Sequence, residues 1–275
     1  MSTPTRLPTV FISHGGGPWP WMAEAKPAYA QLAHELATLP RRWPQATRML
    51  MISAHWEAPH FTLQGAAQPG MLYDYYGFPP ETYQVQYPAA GDPALAARVV
   101  DLLKAAHLPA AVDAERGFDH GMFSPMALMY PKADLPTVQL SLRRGLLPAE
   151  HLALGRALAP LRDEGVIIVG SGLSYHNLRA WGPYGQAPSA AFDRWLEDTM
   201  ALQGQARSER LLHWEHAPAA RQAHPREEHL LPLMVAVGAA EDEAATRTYH
   251  QRDFMGGLTV SNFLLGLPAD EGQTS

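Results

Sequence analysis

Two continuous apolar segments of this chain each run directly into a histidine. Residues 9–13 precede His14, and residues 49–54 precede His55. Continuous apolar runs of this length are typical of buried strands in an α/β sheet. Because open α/β sheets bind ligands at the carboxyl ends of their strands, the two histidines predict a metal or catalytic centre rather than packing.

Strand patterns and amphipathic helix patterns alternate along the whole sequence, which predicts one α/β domain over residues 1–275. Residues 268–275 are expected to form a frayed tail. The expected strands are residues 9–13, 49–54, 61–65, 137–141, 166–170, 245–249 and 258–263. The expected helices are residues 28–39, 93–106, 148–162, 192–202 and 227–237, and the second of these begins with an Asp92-Pro93 cap.

The chain of 275 residues contains no cysteine and 13 histidines. The absence of cysteine excludes disulfides, thiolate zinc sites, iron–sulfur clusters and cysteine nucleophiles. Any metal must therefore be held by imidazole and carboxylate groups. The number of histidines supplies enough donors for a histidine-rich site.

The formal net charge of -6 and the isoelectric point near 6.1 give no basic surface for nucleic acid. No apolar run approaches the length that spans a bilayer, and residues 1–8 do not resemble a secretory signal. We expect a cytoplasmic protein with no nucleic-acid and no membrane partner. The sequence leaves the oligomeric state open.

Three further histidines stand in structured contexts. His120 lies just before an apolar segment, His176 follows a predicted strand, and His229 opens a predicted helix. Neutral imidazoles from separate strands can build a mononuclear site with open positions, which suits Fe(II) or Zn(II). His120 and His176 would then be available as acid and base groups, since imidazole titrates near neutrality.

Other features of the sequence carry less information about function. The sequence has no His-Glu-x-x-His, no phosphate-binding P-loop and no Gly-x-Ser-x-Gly segment. Glu227 and Glu228 could act as second-sphere carboxylates, although acidic residues are also common at a solvated helix start. The histidines expected at the surface or in caps are His34, His107, His151, His213, His216 and His250.

Two long loops, residues 15–22 and 70–93, are rich in glycine, proline and aromatic residues. Loops of this length often act as lids or binding loops. Their aromatic side chains could line a substrate pocket, or they could pack the loops onto the domain. The side chains considered for substrate binding are Trp19, Tyr75, Tyr76 and Phe78.

Six segments in order along the chain resemble class III extradiol ring-cleavage dioxygenases, specifically the 4,5-DOPA-type branch. They are Ser13-His14-Gly15, Ser53-Ala54-His55-Trp56-Glu57, Asp74-Tyr75-Tyr76-Gly77-Phe78-Pro79, Gly117-Phe118-Asp119-His120-Gly121, Ser174-Tyr175-His176-Asn177-Leu178-Arg179 and Glu228-His229-Leu230-Leu231-Pro232-Leu233. The resemblance implies a central mixed β-sheet flanked by helices, with the active-site cleft at the sheet edge.

The resemblance also implies roles for the five histidines. His14, His55 and His229 would be the metal ligands, and His176 would be the nearby catalytic histidine or a fourth ligand. His120 would be a second-sphere histidine that hydrogen-bonds oxygen or substrate. The implied reaction inserts O2 into the ring of a small catechol, DOPA-like or other, and gives a muconic semialdehyde. One divalent metal per chain, Fe(II) or Zn(II), would be the cofactor.

Two other functions stay open at this level. An all-histidine ligand set also allows a zinc hydrolase that uses metal-bound water. A non-catalytic binding protein could keep the same fold and cleft. The sequence identifies neither the catechol, nor the native metal, nor the bond of the ring that is cleaved.

Overall fold

One β-sheet forms the centre of the molecule in the computed structural model, which describes residues 6–267. Its strands are β1 (Thr9–Ser13), β2 (Arg48–Ala58), β3 (Phe61–Gln64), β4 (Ala110–Asp113), β5 (Thr137–Arg143), β6 (Val166–Gly172), β7 (Ala245–Phe254) and β8 (Leu258–Leu265). The strand order across the sheet is β4-β3-β5-β2-β6-β1-β8-β7. Its outer part is mixed, since β8 runs antiparallel to β1, β7 to β8 and β3 to β5.

The four central strands, β5, β2, β6 and β1, run parallel to one another. Strand β6 lies between β1 and β2, so that Ser13 pairs with Gly172 and Ser53 pairs with Ser171. These strands are buried almost throughout, as their continuous apolar sequences predict. The carboxyl ends of β1, β2 and β6 therefore meet at one edge of the sheet, where α/β proteins bind ligands.

Helices flank the sheet within the described residues. They are α1 (Lys26–Thr38), α2 (Pro93–Ala105), α3 (His120–Met129), α4 (Pro148–Leu158), α5 (Gln186–Met200), α6 (Gly204–Leu212), α7 (Ala220–Ala223) and α8 (Leu231–Ala239). Helix α2 begins as predicted, because the Asp92 carboxylate accepts the Leu95 N–H at 2.9 Å. Between residues 6 and 267, no helix is long and apolar enough to cross a membrane.

The structure confirms the predicted α/β domain with a mixed sheet, and every expected strand is present. Strand β2 is longer than expected. It continues to Ala58 beyond a register shift between Ile52 and Glu57, so His55 lies in the irregular end of the strand rather than after it. The tail expected at residues 268–275 lies outside the described residues.

Several elements have no clear signal in the sequence. Strand β4 is a short edge strand that begins with two alanines, and α3 is apolar on all sides and contains Pro125. The helix expected at residues 227–237 begins only at Leu231, with Pro232 in its first turn. Proline favours that position because its missing N–H would have no helical partner there. His229 therefore lies in the turn before α8.

His151 is not at the surface, where the sequence places it as a surface or capping residue. Its side chain is fully buried in the first turn of α4, where Nδ1 lies 2.8 Å from the Leu147 carbonyl oxygen. The ring also meets Phe61 edge-on, with the ring centroids 5.4 Å apart. Burial lowers the pKa of His151 to about 4. This histidine is therefore neutral in the folded protein at neutral pH.

The buried neutral state of His151 predicts acid-sensitive stability. A histidine in an unfolded chain has a pKa near 6.5, so between that pH and about 4 the unfolded state binds a proton that the folded state does not bind. The free energy of unfolding is therefore highest above pH 6.5. It falls as the pH decreases, by about 3 kcal/mol for this residue. In His151→Asn, the free energy of unfolding of the metal-free protein, measured with urea from pH 4.5 to 7.5, should depend less steeply on pH.

The exposed His213 provides the control, since His213→Asn should leave the pH dependence as it is in the unmodified chain. An unchanged slope in His151→Asn would contradict this interpretation of the buried imidazole.

Candidate metal centre

Three histidines converge at the carboxyl edge of the central strands. His14 follows β1, His55 lies in the irregular end of β2, and His229 lies in the turn before α8. The Nε2 atom of His55 is 3.1 Å from Nε2 of His14 and 3.3 Å from Nε2 of His229. The structure therefore brings together the three residues that the sequence predicts as ligands.

The second nitrogen of each of these rings faces an acceptor. Nδ1 of His14 lies 3.0 Å from Ser171 Oγ, whose hydroxyl donates to the Gly121 carbonyl and so can only accept from the ring. Nδ1 of His229 lies 3.0 Å from Glu228 Oε1. Nδ1 of His55 lies 3.4 Å from Asp74 Oδ2. These partners favour protonated Nδ1 atoms, which leaves the Nε2 lone pairs facing one another.

The three rings are neutral at physiological pH. Burial, followed by the neighbouring histidines, lowers the pKa of His14 and of His229 well below the usual range. Burial and His120 lower the pKa of His55 to about 3, although Asp74 opposes that change. A metal ion needs imidazole in its neutral form, so no proton has to be displaced from Nε2.

The donor set fits a divalent metal. Nitrogens that bind one ion at about 2.0–2.1 Å lie about 3 Å from one another, which agrees with the separations of 3.1 Å and 3.3 Å. Three lone pairs that face one another without intervening protons also repel, and a cation between them would remove that repulsion. Imidazole nitrogens of this kind suit both zinc and iron.

His120 stands beside this cluster at the start of α3. Its ring centroid is 3.9 Å from that of His55. The Asp74 Oδ1 atom accepts two hydrogen bonds from His120, one from the backbone N–H at 3.0 Å and one from Nδ1 at 2.8 Å. Burial alone would raise the pKa of Asp74, but the bonds and charge of His120 lower that pKa below its usual range. Asp74 is therefore ionised and fixes the His120 ring.

His176 stands on the opposite side, in the segment that follows β6. Its ring stacks on that of His229 with centroids 3.3 Å apart, and its Nδ1 lies 3.1 Å from Glu228 Oε1. Burial would raise the pKa of Glu228, yet the hydrogen bond from His176 lowers that pKa overall. Of the two acidic residues considered from sequence, Glu228 thus faces the site, whereas Glu227 pairs with Arg221.

The four aromatic residues considered for substrate binding occupy different environments. Trp19 is buried, stacks on Tyr29 and donates its indole N–H to the His14 carbonyl oxygen at 2.9 Å. Tyr75 lies 5.9 Å from His120 and 5.3 Å from Phe78 between ring centroids. Tyr76 is 90% exposed. A substrate-binding role for each of these four residues stays a prediction.

Asp74 and Ser171 are the parts of the site that the sequence reasoning missed as functional residues. Asp74 belongs to the Asp-Tyr-Tyr-Gly-Phe-Pro segment that carries the family resemblance. The resemblance therefore points to this segment, but it does not indicate that Asp74 contacts His55 and His120. Ser171 lies near the end of β6, one position beyond the expected end of that strand. Only the pairing of β6 between β1 and β2 places it against His14.

Comparison with known proteins identifies the relatives of this chain. Residues 8–262 match the family model described as the catalytic LigB subunit of aromatic ring-opening dioxygenase. A protein named dioxygenase tasH from Hapsidospora irregularis is 40% identical over 263 residues, which cover 88% of this chain and 81% of that protein. The 4,5-DOPA dioxygenase extradiol of Beta vulgaris is 41% identical over 248 residues, covering 88% and 90% of the two chains.

A solved structure shares the fold. The crystal structure of an uncharacterized protein from Escherichia coli K12 superposes with a TM-score of 0.78 at 31% sequence identity. The superposition covers 95% of this chain and 100% of that chain.

Gly172 is required where β6 passes the turn that carries His229. A Cβ atom at this position would overlap the His229 carbonyl oxygen and would stand 3.0 Å from the Phe11 ring. The same carbonyl accepts the Leu173 N–H at 3.1 Å, which fixes the turn to the strand. Only glycine permits so close an approach of the two backbones.

The substitution Gly172→Ala should therefore displace His229 and lower the affinity for a divalent metal by about tenfold or more. It should also cost about 1–3 kcal/mol of stability through overpacking. Competition with a chelating dye measures the affinity. Gly70→Ala is the matched control, because a Cβ at Gly70 meets open space. Equal metal affinity in Gly172→Ala and the unmodified protein would show that this close approach does not set the position of His229.

Proposed function

Because the chain belongs to the family of catalytic LigB subunits of aromatic ring-opening dioxygenases, we propose that it opens a small catechol by extradiol cleavage. The enzyme class follows from the family. The proposal adds the substrate class, a DOPA-like or other small catechol, and a muconic semialdehyde as product. Both atoms of O2 enter the product, so the reaction needs no external reductant.

The observation that carries this proposal is the convergence of the three Nε2 atoms with every Nδ1 facing an acceptor. We assign His14, His55 and His229 as the ligands of one divalent metal, Fe(II) in preference to Zn(II). When bound, this metal would supply the electron transfer that lets a catechol react with O2, and would hold the two reactants adjacent.

His176 is the proposed base and later acid. Its Nδ1 faces the Glu228 carboxylate, which favours the tautomer with a proton on Nδ1 and leaves Nε2 as the proton acceptor. Its ring lies against that of His229, so a catechol hydroxyl brought to the metal site would be within its reach. Glu228 can balance the positive charge that His176 gains on taking up the proton.

His120 is the proposed second-sphere histidine that hydrogen-bonds oxygen or substrate. Asp74 holds its Nδ1, so its Nε2 is left for an outside partner. Tyr75 and Phe78, which adjoin His120, are proposed as the aromatic wall against the ring of the substrate. The exposed Tyr76 would contact substrate only at the rim, and Trp19 would act through its bond to the His14 carbonyl.

The zinc hydrolase that an all-histidine ligand set allows is set aside, because the family is one of aromatic ring-opening dioxygenases. A cytoplasmic location stays a prediction from the sequence.

The ferrous protein should consume O2 and form a yellow ring-opened product with at least one member of a catechol panel. An oxygen electrode and the absorption spectrum measure both, and His229→Ala should lose uptake together with bound metal. The exposed His213 gives the matched control, since His213→Ala should keep both. Absence of uptake across the panel with ferrous loading confirmed by metal analysis would overturn the proposal.

The variant His176→Gln should lower kcat by about 10²–10⁴-fold, because glutamine cannot accept a proton. Metal analysis of the same sample separates the two roles considered for His176. Retained metal with a low kcat indicates the acid–base role, and loss of metal indicates a fourth ligand. A kcat within threefold of the unmodified enzyme would contradict both.

A further inference from the structure

Two partly buried carboxylates flank the proposed metal site in the same way. Asp74 lies against His55 and His120, and Glu228 lies against His229 and His176. Each carboxylate thus serves one proposed ligand and one proposed acid–base histidine. Their side chains are only 16% and 13% exposed.

Each of these carboxylates retains an oxygen without a full partner. Among the described residues 6–267, Asp74 Oδ2 and Glu228 Oε2 are buried and make no hydrogen bond. Asp74 Oδ2 is 3.4 Å from His55 Nδ1, and Glu228 Oε2 is 3.8 Å from an Arg226 nitrogen. Buried ionised groups are costly unless a nearby opposite charge compensates them.

The other charged residues around the site largely cancel in pairs. Asp119 binds Arg116 at 3.0 Å, and Glu57 binds both terminal nitrogens of Arg226 at 2.5 Å and 2.6 Å. Asp74 and Glu228 differ from these two carboxylates. Among residues 6–267, no arginine lies within hydrogen-bond distance of either one, so their carboxylates face the imidazole cluster.

We propose that Asp74 and Glu228 are the anionic part of the metal centre, and that their two charges neutralise the dication held by His14, His55 and His229. This inference rests on the proposed function. It assigns to the carboxylates a role beyond orienting the rings. The all-histidine ligand set, which by itself leaves a dication uncompensated, is then electrically balanced by two carboxylates beside the ligand rings.

The isosteric variant Glu228→Gln separates charge from orientation. Glu228 Oε1 alone faces the Nδ1 atoms of both His229 and His176, so one amide oxygen in its place keeps both imidazole tautomers while the charge is removed. The variant should bind Zn²⁺ about 10–100-fold more weakly than the unmodified protein. Zn²⁺ affinity is measured on the metal-free full chain by chelator competition, with circular dichroism to verify folding and without substrate or oxygen.

Glu227→Gln is the matched control, since Glu227 lies two residues from His229 but its charge is already paired with Arg221, which also binds Glu215. Its Zn²⁺ affinity should stay within about threefold of the unmodified protein. If Glu228→Gln also stays within threefold, the carboxylates only orient the rings and the proposal is overturned. The same holds if Glu227→Gln loses as much affinity as Glu228→Gln.

A variant of an exposed residue provides a second test of the proposal if Glu228→Gln does not fold. Arg226 is exposed, and its removal in Arg226→Gln takes a positive charge from beside Glu228. Zn²⁺ affinity should then rise about two- to fivefold, and an unchanged or lower affinity contradicts the proposal. Failure of the unmodified protein to bind Zn²⁺ at His14, His55 and His229 would overturn the proposed function itself, which distinguishes the two failures.

Discussion

The contacts of the Nδ1 atoms of His14, His55 and His229 determine what this site can bind. An imidazole offers a metal only the nitrogen that carries no proton, and the partner of the other nitrogen selects which one that is. Ser171, Asp74 and Glu228 make this selection here, one for each ring. Burial keeps the rings neutral, so the three lone pairs meet at one point and are ready for a cation.

The sheet topology explains how residues far apart in sequence reach this point. Strand β6 inserts between β1 and β2, and so brings Ser171 against His14 and Gly172 against the turn that carries His229. The segment after β6 then carries His176 to the face of the His229 ring. A packed parallel sheet thus supplies the rigidity, while the loops after its strands supply the chemistry.

The sequence predicts the buried strands well, because they depend on local signals, and the five histidines it singles out lie together in the structure. Apolar runs mark β1, β2 and β6, and histidines at their ends or in recognisable segments mark the site. The residues that contact Nδ1 of these histidines could not be predicted from the sequence. Asp74 lies in a long loop and Ser171 in a strand, so their contacts depend on strand order and loop packing, which no local pattern contains.

The same limit explains the errors in element boundaries. Helices α3 and α8 are buried on all sides, so they lack the alternation by which an amphipathic helix is recognised. His151 was misplaced for a related reason, since its neutral buried state depends on Phe61 and Leu147 around it rather than on its neighbours in sequence.

The central claim is that three Nε2 atoms bind one metal ion, and anomalous diffraction from crystals loaded with Fe(II) without oxygen tests it most directly. The account predicts one anomalous peak per chain, about 2.0–2.2 Å from Nε2 of His14, His55 and His229, with Asp74 and Glu228 outside the ligand ring. A peak bound through Nδ1, a peak held directly by either carboxylate, or a peak elsewhere in the chain would contradict it.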